Sequence, residues 1–298
     1  MITISSSAAR IAKLKSNSEA ISILGNSNIE AIDYWLYLFS WTKQDPFHQD
    51  NWKEFLKAIR EEIRATGLPV TQCHALYHIF VPSNLHYEPP QEIIYRNLEA
   101  CAMLDCHRLI FHPVSMVERV TDSQKRQAIL DYNIHWFGDL LPKAEDLDLE
   151  LHIENVFDWG EYQKEEDPPF VCSNAEDICY VLDQLNHPRM KSCLDTGHAN
   201  IMSQDVPAFI HTLGSRLGSL HLNDNYGYQK DVYDPHLLPG KGNLDWDAIV
   251  KALKEVVYSG TLNMEPVDTL PKETAGVVSQ RLSNSAEFLR KLGEKYNL

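Results

Sequence analysis

Six residues able to ligate a cation or carry a proton, His74, His112, Glu154, Asp195, His221 and Glu265, recur at intervals of 38, 42, 41, 26 and 44 residues. Five directly follow a short apolar run, PVTQC, RLIF, LELHI, MKSCL and TLNM, and His221 lies within a sixth, LGSLHL. Imidazole and carboxylate together suit Zn2+, Mn2+, Fe2+ or Co2+, and Mg2+ less well where two imidazoles bind. Carboxylates flanking such a cation can also move a proton at a carbon beside a carbonyl. One His closing a strand is more often a hydrogen-bonded structural residue than a ligand. Six in step reverse that reading, because burying them together without compensation costs several kcal/mol per ion, and a divalent cation removes the penalty. No cysteine belongs to the set, which weakens the case for a structural zinc.

The elements that must position these residues are legible in the same pattern. Eight β-like runs, at 2–5, 29–35, 69–73, 108–111, 149–153, 190–194, 217–222 and 261–264, alternate with longer helix-period segments. The clearest of these segments are 51–66, 90–104, 123–142, 174–185, 246–257 and 276–295. Eight units across 298 residues average about 37 each, which predicts an α/β chain folded as a single (β/α)8 TIM barrel, one domain over 1–298. The six polar residues then project toward the C-terminal end of the barrel, where active sites of this architecture are built. Ser173, Asn174 and Asp245 stand as N-caps and Gly67 as a C-cap. The longest loop follows the seventh run, NDNYGYQKDVYDPHLLPGKGN, rich in turn formers and aromatics.

Composition excludes several classes. Hydrophobic residues at 44% and charged residues at 23%, with 15 Pro and 13 Gly scattered, describe a globular chain with a sizeable core. The opening MITISSSAARIAKLK lacks the apolar stretch of a signal peptide, and no run of about 18 apolar residues occurs, so a soluble cytoplasmic protein is expected. Six cysteines, at 73, 101, 106, 172, 179 and 193, show no C-x-x-C pairing and read as small hydrophobes. A net charge of −15 repels nucleic acid and anionic membrane surfaces.

Several short motifs together resemble the xylose isomerase-like TIM barrel superfamily, which holds sugar isomerases and epimerases and also endonuclease IV, an AP endonuclease of family 2. Its carriers are CHALY (73–77), FHP (111–113), IEN (153–155), CLDTGHA (193–199), HLND (221–224), DPHLLPGKGNLDW (234–246) and MEP (264–266), across most of the chain. The resemblance to the epimerase-like members implies one divalent metal held by Glu154, Asp195, His221 and Glu265, with His198 on a substrate oxygen. The resemblance to endonuclease IV implies two or three zinc ions and further ligands, for which His74, His112, His198, Asp234 and His236 are counterparts.

Charge separates the two. A DNA-gripping rim needs basic loops, yet the stretch after Glu154, FDWGEYQKEEDPP, carries one lysine among acids, and the loop after His221 has only Lys230 and Lys241. The expectation is therefore a metal-dependent isomerase or epimerase of a sugar, polyol or keto-sugar, with Glu154 and Glu265 as paired acid and base working through an enediolate. The metal would be Mn, Zn, Co, Fe or Mg, and the partner a small carbohydrate; a homo-oligomer is compatible with the sequence. A dehydratase or lyase on an oxidised sugar, and a multinuclear-zinc phosphodiesterase, are the alternatives. Asp195 and His198 also fit a helix cap, and Asp234-x-His236 a turn closed by an Asx hydrogen bond. Lys241 reads as a solvated loop lysine, and Trp35, Tyr77 and Trp159 as either sugar-site walls or core.

Overall fold

The computed structural model describes residues 2–7, 16–76, 90–114, 120–157, 170–229, 234–266 and 273–298. Eight parallel strands make the wall: β1 (Ile4–Ser7), β2 (Ala31–Trp35), β3 (Val70–His74), β4 (Arg108–Phe111), β5 (Glu150–Glu154), β6 (Met190–Asp195), β7 (Leu217–His221) and β8 (Leu262–Met264). Neighbours pair in sequence order from β1 to β7, β8 returns to β1, and a bridge from Leu222 to Met264 joins the two ends of the sheet. This is a (β/α)8 TIM barrel. The expected strands are all found, within two residues at each end.

Helices cover the outside: α1 (Asn17–Gly25), α2 (Trp52–Thr66), α3 (Gln91–Met103), α4 (Ser123–Asp146), α5 (Ala175–Leu185), α7 (Val206–Leu213), α8 (Trp246–Glu255) and α9 (Ala275–Tyr296), while the short α6 (Thr196–Ile201) is largely buried at the end of β6. Amphipathic spacing puts Leu56, Ile59 and Ile63 of α2 against the wall, and Gly67 ends the helix with φ 76°. Asn174 and Asp245 cap α5 and α8 through their side chains; Ser173 is not the cap. Sequence periodicity misses α1, α6 and α7. The last two are six and eight residues long, too short for a 3.6-residue period to declare itself. Among the described residues no helix is long and apolar enough to cross a membrane. All six cysteines are unbridged, and Cys73, Cys101 and Cys106 pack together as buried thiols.

Period-two alternation sorts the strand residues into inward layers. The upper layer reads Ser7, Trp35, His74, His112, Glu154, Asp195, His221, Glu265 in chain order, the six chemical residues among them. The layer beneath is also polar. Ser5 Oγ donates to Asn263 Oδ1 at 2.8 Å, Asn263 Nδ2 donates to Asp33 Oδ2 at 2.9 Å, and His152 Nδ1 lies 2.8 Å from Ser219 Oγ. The barrel floor is thus a hydrogen-bonded platform under the upper ring rather than a plug of branched aliphatics.

Candidate metal centre

Glu154 stands at the centre of the upper layer. One carboxylate oxygen, Oε1, lies 3.0 Å from His221 Nδ1 and 3.6 Å from His198 Nδ1. The other, Oε2, lies 3.2 Å from His74 Nε2 and 3.4 Å from His112 Nε2. Across the mouth, Glu265 Oε2 is 3.6 Å from His221 Nδ1 and 3.2 Å from His236 Nδ1. Asp234 sits above, its Oδ2 at 3.3 Å from His198 Nε2 and in close contact with His236 Nε2. All nine residues singled out from the sequence are brought into one cluster, seven of them buried and His112 and Asp234 partly so.

Four overlapping groups in this cluster have ligand atoms within 4.8 Å of one another: Glu154, Asp195, His221 and Glu265; His74, His112 and Glu154; Asp195, His198 and His236; and Glu154, Cys193 and His221, so one sulfur that the sequence set left out also comes within reach. The donor set suits a divalent cation. Glu154 Oε2, His221 Nδ1, Glu265 Oε2 and Asp234 Oδ1 are all buried without a hydrogen bond, a costly arrangement unless something else satisfies them. These residues fit a cation.

The imidazoles are held from behind. A carbonyl oxygen can only accept, so in the neutral imidazole the ring nitrogen facing one carries the proton and the other nitrogen's lone pair points toward the cluster. His74 Nδ1 faces Ala75 O at 2.9 Å, His198 Nδ1 faces Asn155 O at 2.8 Å, and His236 Nδ1 faces Glu265 O at 3.0 Å. Asp195 is fixed as firmly: Oδ1 accepts the backbone N–H of His198 at 2.6 Å and Oδ2 accepts from Asn223 Nδ2 at 2.7 Å. Asn155 exchanges two hydrogen bonds with the Asp195 backbone, at 2.7 and 3.0 Å. The cap on α6 and the place in the cluster are therefore both true of Asp195. Gly197 is required by this packing, since a Cβ there would overlap Asn223 Oδ1.

Electrostatics follow from crowding in a buried site. Burial pushes the Asp195 carboxyl up to about 7, with His198 and His236 pulling the other way. Burial disfavours charge on His198, but the fields of Asp195, Asp234 and Glu154 prevail and carry it up to about 9. For Glu154 burial acts upward and is outweighed by His221 and His112, so the carboxyl is held well below its usual range. His112 moves down because burial wins over Glu154. Burial likewise lifts the Cys193 thiol, beside Glu154 and His221, to about 12, which keeps it neutral.

Of the flanking candidates, Trp35 is buried beside the His74 ring, with centroids 5.8 Å apart. Phe157 packs on the His198 ring at 4.6 Å. Lys241 is exposed; its loop is organised instead by buried Asp224, which accepts the Gly240 N–H at 3.0 Å and Trp246 Nε1 at 2.8 Å. Tyr77 and Trp159, and all of the 157–169 stretch but Phe157, lie outside the described residues. Sequence reasoning missed Asn155, Asn223 and Asp33. Asp33 had a signal, a lone carboxylate in the apolar strand AIDYW.

Fold and site define a barrel of the kind that carries an acid–imidazole cage at its strand ends. The chain belongs to the xylose isomerase-like TIM barrel family, whose model matches residues 29–292. Among curated relatives, a D-psicose 3-epimerase of Enterocloster bolteae is 28% identical over 225 residues, 72% of this chain and 67% of that protein. A probable endonuclease 4 of Metamycoplasma arthritidis is 32% identical over 105 residues, 33% of this chain and 37% of that protein. A crystal structure of IOLI protein with a binding zinc atom superposes with a TM-score of 0.73 at 17% identity, covering 99% of both chains.

Proposed function

We propose that the chain, as one barrel domain over 1–298, is a metal-dependent epimerase of a keto-sugar. Glu154, Asp195, His221 and Glu265 hold the cation, and Glu154 and Glu265 carry the protons. The observation that supports this most is the approach of two buried carboxylates to one imidazole nitrogen, Glu154 at 3.0 Å and Glu265 at 3.6 Å from His221 Nδ1, each with Oε2 lacking a hydrogen bond. The bound cation would supply a hold on neighbouring substrate oxygens and stabilise the charge that develops on them. One glutamate removes the proton from the carbon beside the carbonyl, giving an enediolate, and the other returns a proton to the opposite face. His198 orients a hydroxyl, and Trp35 and Phe157 wall the pocket. The relative named D-psicose 3-epimerase supports a ketose as substrate and its C3 as the reacting carbon. The same residues could instead eliminate water from an oxidised sugar, which product analysis distinguishes.

The test is metal content of the purified protein together with turnover of a panel of ketoses, before and after stripping with EDTA and re-addition of Mn2+, Co2+ or Zn2+. One metal per chain and a metal-dependent change at C3 are expected; sugar turnover unaffected by stripping would contradict the reading. A second reading is supported by His74 and His112 at Glu154 and by His198, Asp234 and His236 beside Asp195, which give three adjoining ligand groups. A phosphodiesterase with two or three zinc ions uses such a set. The net charge of −15 opposes a nucleic-acid substrate. Three metals per chain and nicking of an abasic duplex, without sugar turnover, would establish this second reading.

A further inference from the structure

His221 differs from the imidazoles around it in what stands behind it. His74 and His198 each turn Nδ1 to a neutral backbone carbonyl, and His236 Nδ1 lies between the Glu265 carbonyl and the Glu265 carboxylate, 3.2 Å from Oε2, within the ligand cluster itself. His221 turns Nε2 to a carboxylate: Asp33 Oδ2 of β2, 3.4 Å away on the far side of the barrel, both residues fully buried. Neither ring nitrogen has a hydrogen-bond partner: Asp33 is the carboxylate within ion-pair distance of Nε2, and Nδ1 faces Glu154 and Glu265. Asp33 is itself held in place, accepting Asn263 Nδ2 at 2.9 Å and Gln72 Nε2 at 3.4 Å on the same Oδ2, while Oδ1 is buried without a hydrogen bond. A buried carboxylate with neutral amides as its fixed partners is an expensive feature of a barrel floor.

We infer that Asp33 is a positioning residue for the cation site: its carboxylate holds the proton of His221 on Nε2, fixes the ring plane, and makes Nδ1 a stronger donor toward the cation. This rests on the reading of Glu154, Asp195, His221 and Glu265 as ligands. A carboxylate behind a ligating imidazole sets the tautomer and raises the ligand's basicity, and its loss costs about 10- to 100-fold in metal affinity. Asp33 touches neither cation nor substrate and acts through His221. The two amides serve to aim Oδ2 at Nε2, so the floor of the barrel is part of the site.

The experiment compares the full-length protein with Asp33→Asn, which keeps size and removes charge. Mn2+ affinity is read by electron paramagnetic resonance after stripping with EDTA. The imidazole N–H of His221 is read by NMR of the zinc-loaded, 15N-histidine-labelled protein and assigned by its loss in His221→Gln. Expected are wild-type binding, a 10- to 100-fold weaker Mn2+ affinity in D33N, and an upfield move of the His221 Nε2 proton. Equal affinity, or weakened affinity with an unmoved proton signal, would overturn the role of Asp33 and leave the cation site standing. No Mn2+ binding by the wild-type chain would overturn the cation site itself. Should D33N fail to fold, the wild-type spectrum alone decides: a proton on Nδ1 of His221 in the loaded protein contradicts the inference.

Discussion

The two halves of the strand ring end in different chemistry. Strands β5 to β8 close on, or just before, Glu154, Asp195, His221 and Glu265, three carboxylates and an imidazole. Strands β1 to β4 close on Ser7, Trp35, His74 and, one residue past β4, His112, with no carboxylate in the upper layer. The same period-two geometry brings both sets to one mouth, so the difference lies in residue type alone. Negative charge able to offset a divalent cation is concentrated in the second half. The first half offers rings and a hydroxyl, suited to enclosing a ligand rather than to offsetting a cation's charge, and its inward carboxylate, Asp33, stands a layer lower.

This contrast can be broken first at the glutamates. Glu154→Gln and Glu265→Gln should each lower kcat by about 10²- to 10⁴-fold, the usual worth of a positioned acid or base, with an unchanged far-ultraviolet circular dichroism spectrum. Retained turnover in either variant removes that residue from proton transfer.

Metal affinity tests the halves against each other. Removing one partner from a buried charge cluster costs about 3–5 kcal/mol, so His221→Ala should weaken metal binding by at least about a hundredfold. His112→Ala should weaken it far less. Equal losses would mean that both halves ligate and would favour the multinuclear reading.

A smaller effect is expected at Gly197. Alanine there displaces Asn223, whose amide holds Asp195 Oδ2 at 2.7 Å, and metal affinity measured by chelator competition should fall about tenfold. Smallest of all is Lys241→Ala, an exposed loop position, which should leave kcat/KM within about twofold. A large loss there would assign the side chain to an anionic group on the substrate.

The ring and its upper layer were readable in the sequence because both follow from period. Strand-length apolar runs ending in His, Asp or Glu give the side-chain direction as well as the element. What periodicity could not give was the support. Asn155 and Asn223 look like ordinary polar residues after a strand, and their hydrogen bonds to Asp195 join residues 40 and 28 positions apart. Asp33 meets His221 only because the barrel closes, a contact across 188 positions that the local sequence of neither strand encodes. Helices α6 and α7 escaped for the opposite reason, being local but too short to repeat. The competing readings of the 195–198 segment were not exclusive, since one carboxylate caps α6 with Oδ1 and faces the cage.

Proton transfer between two glutamates is the central claim, and solvent label tests it most directly. With the right ketose in deuterated water, over many turnovers so that the carboxyl groups exchange with solvent, deuterium should appear at the carbon beside the carbonyl, in product and in recovered substrate. A hydride shift would instead carry the substrate's own hydrogen across, with neither glutamate touching carbon. Turnover without incorporated deuterium at that carbon would contradict the account.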